Sequence, residues 1–122
     1  MPVLLVVDPD RRAAAHAARV LRDWTVLDVA SVSDAVATLG LVKVDAMVVD
    51  VVLLIDGGRL LHARAATVGA PPIFALSAQT PRRDAAHAFI AGVLGKPPAE
   101  RELREALAPY RASGVAPGVG AL

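Results

Sequence analysis

Short aliphatic runs that alternate with segments of helical spacing constrain this chain more than any other feature. Val3–Val7 is unbroken aliphatic sequence, which suits a strand covered on both faces. Over residues 11–24 the period changes, with Ala14, Ala17, Ala18 and Leu21 recurring at helical spacing. Pro9 blocks continuation of the strand, and Asp10 is placed to cap the helix's first turn. Thr25–Val29 reads as a second strand, residues 33–39 as a short helix ended by Gly40, and residues 45–49 as a third strand running into Asp50. Gly57-Gly58 reads as a break before a helix that carries Leu61, Ala65 and Val68 on one face. Pro71-Pro72 introduces a fourth strand over residues 73–76, and Pro81 suits the first turn of a helix containing Phe89 and Ile90. Gly92–Gly95 leaves room for a very short fifth strand. The last helix is expected over residues 99–110, with Leu103, Ala106, Leu107 and Tyr110 as its apolar stripe.

Repeated β/α units with aliphatic strands predict an α/β fold, a doubly wound parallel sheet with helices on both faces. The 122 residues suffice for one compact domain, expected over residues 1–111. The Gly-, Ala- and Pro-rich residues 112–122 are expected to be a disordered tail. In such sheets ligands bind beyond the carboxyl ends of the strands, so the polar residues there are the ones that matter.

Composition removes several alternatives. With no cysteine, a disulfide scaffold, a thiol nucleophile and a Cys-based zinc site are excluded. A formal net charge of +1 offers no electrostatic footprint for nucleic acid, and an aromatic content of 3% leaves few rings for stacking bases. The longest apolar stretch, residues 46–55, is interrupted by Asp50 and is far shorter than the roughly 20 residues of a membrane span. No secretory signal is legible at the N-terminus, and a cytoplasmic location is expected.

Asp8 follows the first strand, Asp50 the third, Ser77 the fourth and Lys96 the fifth. A carboxylate amid as much aliphatic sequence as surrounds Asp50 is costly unless solvated, paired or metal-bound. A polar cap on the following turn would account for Asp50 taken alone. The combination points further, because a carboxylate can accept a phosphoryl group. Charge on the transferring group is then neutralised, typically by a divalent cation, a lysine and a hydroxyl.

These residues give the chain a resemblance to the response-regulator receiver family, carried by Leu5-Val6-Val7-Asp8, Met47-Val48-Val49-Asp50, Ala75-Leu76-Ser77-Ala78 and Lys96-Pro97. The resemblance spans residues 3–110. It implies a flavodoxin-like sheet in the order 2-1-3-4-5, and a stand-alone, non-enzymatic receiver of two-component phosphorelay signalling. Asp50 would be the phosphoacceptor, with Ser77 and Lys96 contacting the phosphate. Asp8, Asp50 and the backbone carbonyl of Val52 would hold Mg²⁺, with Asp10 as an additional candidate ligand. The implied partners are a histidine kinase or phosphotransfer protein and a downstream protein target, without nucleic acid or membrane; a homodimer is an open alternative.

The chain departs from the family in three places. Pro9 stands where a second acid normally follows Asp8. A unit charge and a divalent ion ~4 Å apart attract by about 8 kcal/mol gross at an effective dielectric of 20. Weak Mg²⁺ binding is therefore expected. The segment after Asp50 has Leu54 at the family's proline position, and Asp56-Gly57-Gly58 resembles its Asp-Gly ending with a one-residue shift. Residues 51–55 become a greasy loop, packed inward or exposed to a partner. Val93 replaces an aromatic residue whose rotamer normally reports the active state, so the relay from Ser77 is expected to be absent or altered.

Pro9 and Val93 favour a second reading, a pseudo-receiver that acts as a phosphorylation-independent interaction module. An enzyme alternative is a haloacid-dehalogenase-like phosphatase, since Asp8-Pro9-Asp10 looks like that family's Asp-x-Asp nucleophile motif. Its final acidic pair is missing after Lys96. His16, His62 and His87 lie on separate predicted helices without metal-ligand spacing and read as surface or packing residues. Glu100, Glu102 and Glu105 read as a solvated face, with Glu100 and Arg104 an i,i+4 pair.

Overall fold

The computed structural model describes residues 1–78 and 90–111. Five parallel strands, β1 (Val3–Val7), β2 (Thr25–Val29), β3 (Ala46–Asp50), β4 (Ile73–Ser77) and β5 (Gly92–Gly95), form one sheet in the order β2-β1-β3-β4-β5. This is the flavodoxin-like order implied by the receiver resemblance. The described helices are α1 (Arg12–Val20), α2 (Val32–Leu39), α3 (Val51–Ala66) and α4 (Glu100–Leu107), the last continued by a 3₁₀ turn at Ala108–Tyr110. The helix expected from Pro81, with His87 and Phe89, and the tail 112–122 lie outside the described residues.

Strand periodicity divides the core into two layers. Leu4 and Val6 point to one side of the sheet and pack with Ala14, Ala17 and Val20 of α1 and with Leu103 and Leu107 of α4. Leu5 and Val7 point to the other side, against Ala35 and Leu39 of α2 and Leu54, Leu61 and Ala65 of α3. Both faces of β1 are therefore sealed, which is why its sequence is apolar at every position. The expected stripe on α4 is present, and Tyr110 meets Phe74 edge-on with ring centroids 6.0 Å apart.

Two boundaries differ from expectation for packing reasons. Helix α1 stops at Val20, and Trp24 turns into the core ahead of β2, where its N–H donates to the Leu21 carbonyl. Helix α3 starts at Val51, directly after β3, and runs through Gly57 and Gly58 without a break. A Cβ on Gly57 would lie 2.7 Å from Val32 Cγ2, so this glycine permits α2 and α3 to approach closely rather than ending a helix. The greasy loop is therefore the first turns of a helix: Leu54 is buried, whereas Val52 and Ile55 are exposed. Among the described residues no helix is long and apolar enough to cross a membrane.

Candidate functional site

The carboxyl edge of the sheet carries the site. Asp8 follows β1 directly and is 1% exposed, and its own N–H donates to the Val29 carbonyl of β2. Asp50 ends β3 in register with Leu76, and Ser77 ends β4 in register with Gly95. Lys96 leaves β5 one residue later, ahead of Pro97 across a cis peptide bond.

Lys96 draws the two acids together. Its Nζ lies 2.8 Å from Asp8 Oδ2 and 3.4 Å from Asp50 Oδ2. The remaining oxygens are used by the backbone: Asp8 Oδ1 accepts the Asp10 N–H at 2.8 Å, and Asp50 Oδ1 accepts the Val52 N–H at 3.4 Å. Burial of the ammonium opposes its charge, but the Asp8 hydrogen bond and the Asp50 charge outweigh it and raise the Lys96 pKa above its ordinary value. Lys96 is thus held as a cation between two carboxylates, of which Asp8 is closed to solvent and Asp50 retains 15% side-chain exposure.

Asp50 also caps a helix. Because α3 begins at Val51, Asp50 stands at its cap position and its carboxylate accepts one of the open first-turn N–H groups, that of Val52. The partial positive charge of a helix N-terminus favours anionic groups there. Val52 lies inside this helix, so its carbonyl points along the helix axis into the α3 ladder rather than across the cleft.

Asp10 is not gathered into the cluster. Its carboxylate turns outward to Arg12, accepting the backbone N–H at 3.0 Å and the guanidinium at 2.8–3.2 Å. The hydrogen bond from the Arg12 side chain is the main reason its pKa falls to about 2. The capping role expected of Asp10 is therefore present through the Arg12 N–H, although α1 itself has Arg11 at its cap position.

A resident Mg²⁺ requires oxygen ligands free to turn towards it. Here the oxygens of Asp8 and Asp50 are shared between Lys96 and backbone N–H groups, Asp10 is held by Arg12, and the Val52 carbonyl lies in a helix. Among the described residues no group of at least three His, Cys, Asp or Glu side chains is assembled for a metal ion. The donor set does not fit a resident Mg²⁺, and the ligand roles expected of Asp10 and Val52 have no geometric basis. The phosphatase alternative loses ground for a related reason: a nucleophile must be reachable, and Asp8 is sealed and ion-paired.

Sequence reasoning missed Glu102. The solvated role expected of it is replaced by a structural one, since its carboxylate accepts the N–H groups of Gly95 at 3.3–3.4 Å and Ala99 at 3.3 Å. It brackets the loop that carries Lys96. Its position three residues after Ala99 is the spacing of a capping glutamate, a signal that was available. The expected Glu100–Arg104 pair forms at 3.1 Å. His16 packs against the same loop, with Nε2 2.7 Å from the Pro98 carbonyl.

No protein-family model and no curated protein matches the chain. Solved structures do. A protein of Chloroflexus aurantiacus described as a response regulator is 27% identical, with 92% of this chain and 99% of that one covered and a TM-score of 0.73. The receiver domain of the Pseudomonas aeruginosa sensor histidine kinase PA1611, described with magnesium coordinated in its active-site cleft, is 23% identical over 91% of this chain and 98% of its own, with a TM-score of 0.72. The chemotaxis protein CheY4 of Vibrio cholerae is 22% identical over 90% and 98% respectively, with a TM-score of 0.75. The fold is that of response-regulator receiver domains, and the chain is similar to them through its whole sheet.

Proposed function

We propose that this chain is a signalling receiver that takes a phosphoryl group on Asp50 from a phosphohistidine of a kinase or phosphotransfer protein. A carboxylate oxygen of Asp50 attacks phosphorus as the P–N bond to the donor histidine breaks, and the imidazole leaves with that bonding pair. The observation that carries the reading is the setting of Asp50: it is the partly exposed acid of the pair, its oxygen is 3.4 Å from the Lys96 ammonium, and it stands at the N-terminus of α3. A phosphoryl group there gains contacts with a cation and with backbone N–H groups, the two kinds of neighbour that stabilise added negative charge. Ser77, at the end of the adjacent strand, is the proposed hydroxyl contact.

The state so formed would be read by protein contacts. Val52, Ile55 and Leu60 are exposed on α3, the helix that Asp50 caps, and are the proposed reporting surface for a downstream target. A specific observation also favours the second reading, a phosphorylation-independent interaction module. Lys96 is already paired with both acids, so the resting state has its cation in place without a phosphoryl group.

Incubation with acetyl phosphate followed by intact-mass measurement separates the two. Wild type is expected to gain the mass of one phosphoryl group and Asp50→Ala none. Absence of the gain in wild type, with and without Mg²⁺, would leave the interaction module as the reading.

A further inference from the structure

Receiver-type sites are expected to recruit a divalent cation, and the arrangement here conflicts with that expectation. We infer that Lys96 is this domain's built-in cation, and that its ammonium excludes Mg²⁺ from the space between Asp8 and Asp50.

Four observations converge on the same space. The Lys96 Nζ lies 2.8 Å from one acid and 3.4 Å from the other, so its ammonium already occupies the neighbourhood of both carboxylates. Asp8 is 1% exposed, so its charge has no water to fall back on if the ammonium withdraws. Among the described residues no replacement acid stands beside Asp8, because position 9 is a proline and Asp10 is held outward by Arg12. The Val52 carbonyl belongs to the helical ladder, because α3 begins immediately after Asp50. A divalent ion arriving at the cleft would therefore meet a positive charge already held between the two carboxylates.

The loop that carries Lys96 is itself anchored. Glu102 fixes the Gly95 N–H on one side, and His16 contacts the Pro98 carbonyl on the other. Lys96 is a tethered cation on a braced support, with less freedom to swing away than a lysine on an open loop. The inference does not depend on Asp50 accepting a phosphoryl group, because it concerns the resting site alone.

The test uses Mg²⁺ as the probe, with backbone amide chemical shifts of the full chain as the readout. Wild type is expected to show no saturable shift at Asp50, Val52 and Lys96 through the millimolar range. Lys96→Arg, which keeps a cation, is expected to behave likewise. Lys96→Met removes the charge at similar bulk and is expected to bind Mg²⁺ at least about tenfold more tightly than wild type. It is also expected to show a melting temperature that rises with Mg²⁺. Saturable Mg²⁺ binding by wild type at sub-millimolar concentration overturns the inference. So does a Lys96→Met protein that is folded but blind to Mg²⁺, or one that Mg²⁺ fails to restore to the folded state. An intact-mass failure with acetyl phosphate, by contrast, would bear on Asp50 as acceptor and leave the Mg²⁺ titration standing.

Discussion

Glu102, on the first turn of α4, reaches back across seven residues to accept the backbone N–H of Gly95 at the end of β5. The same carboxylate takes the N–H of Ala99, so one side chain fixes both ends of the loop that presents Lys96. Removing it leaves the half-buried Gly95 N–H and the exposed Ala99 N–H without their acceptor. Glu102→Ala is expected to lower unfolding free energy by about 1–2 kcal/mol, the range of a lost cap or charge-assisted hydrogen bond. Glu102→Gln, which keeps a side-chain acceptor, should lose less than half of that. Urea denaturation with an unchanged m-value checks the stability, and amide shifts at Lys96 check the positioning. Equal stability for Glu102→Ala and wild type would mean that water replaces the carboxylate at no cost.

Gly57 gives a second prediction in which two effects oppose each other. Replacing a glycine inside a helix by alanine normally gains about 1 kcal/mol of helix propensity. Here the added Cβ would lie 2.7 Å from Val32 Cγ2 and 3.0 Å from two further atoms of that side chain. Overpacking of this kind costs roughly 1–3 kcal/mol. Gly57→Ala is therefore expected to be net destabilising by about 1 kcal/mol. In Gly57→Ala/Val32→Ala the clash is removed, and the double-mutant cycle should give a favourable coupling of more than about 0.5 kcal/mol. A stabilised single mutant would mean that the two helices separate freely.

The same glycine marks where the sequence could and could not be read. The α/β layering was legible because it depends on periods of two and 3.6 residues, which local sequence carries, whereas the strand order came only through the resemblance to receivers. Asp8, Asp50, Ser77 and Lys96 were legible as strand-end residues from the same periods. The start of α3 was not, because Gly57-Gly58 has the composition of a turn, and only the proximity of Val32 on another helix explains why glycine is needed inside one. Asp10 was ambiguous between ligand and cap until the side-chain direction of Arg12 was known. Glu102 was missed because a row of glutamates looks like a solvated face, and its partner Gly95 belongs to a different element. Gly57 depends on a tertiary neighbour, whereas Asp10 and Glu102 are held in part by residues two and three positions away, where local pattern left more than one role open.

A third prediction concerns the turn after α3. Ala70 has φ 51°, in the left-handed region, with its N–H donated to the Ala65 carbonyl at 2.9 Å. A Cβ in this conformation costs about 1–2 kcal/mol, and glycine avoids that cost while giving back up to about 1 kcal/mol through a freer unfolded chain. Ala70→Gly is expected to stabilise the domain by about 0.5–1 kcal/mol, read as a raised urea midpoint. The neighbouring Gly69, at φ 97°, should respond in the opposite sense to Gly69→Ala, with a lowered midpoint.

The paired Lys96 makes stability depend on pH at the alkaline end. Its native pKa is raised above the ordinary value of 10.5: burial works against the charge, and Asp8 and Asp50 more than compensate. Folding therefore favours the protonated amine. The stabilisation is present in full below the unfolded-state value and is lost as pH climbs from there through the native value. While the unfolded chain has released this proton and the native chain retains it, the slope is at most about 1.4 kcal/mol per pH unit. Above the native pKa this contribution becomes flat. Wild type is thus expected to hold its urea midpoint from neutrality to about pH 10 and to fall beyond it. Lys96→Arg places a guanidinium that does not titrate in this range, so its alkaline decline should be shallower. Parallel alkaline profiles for the two proteins would show that the pair with Asp8 and Asp50 contributes no proton-linked stability.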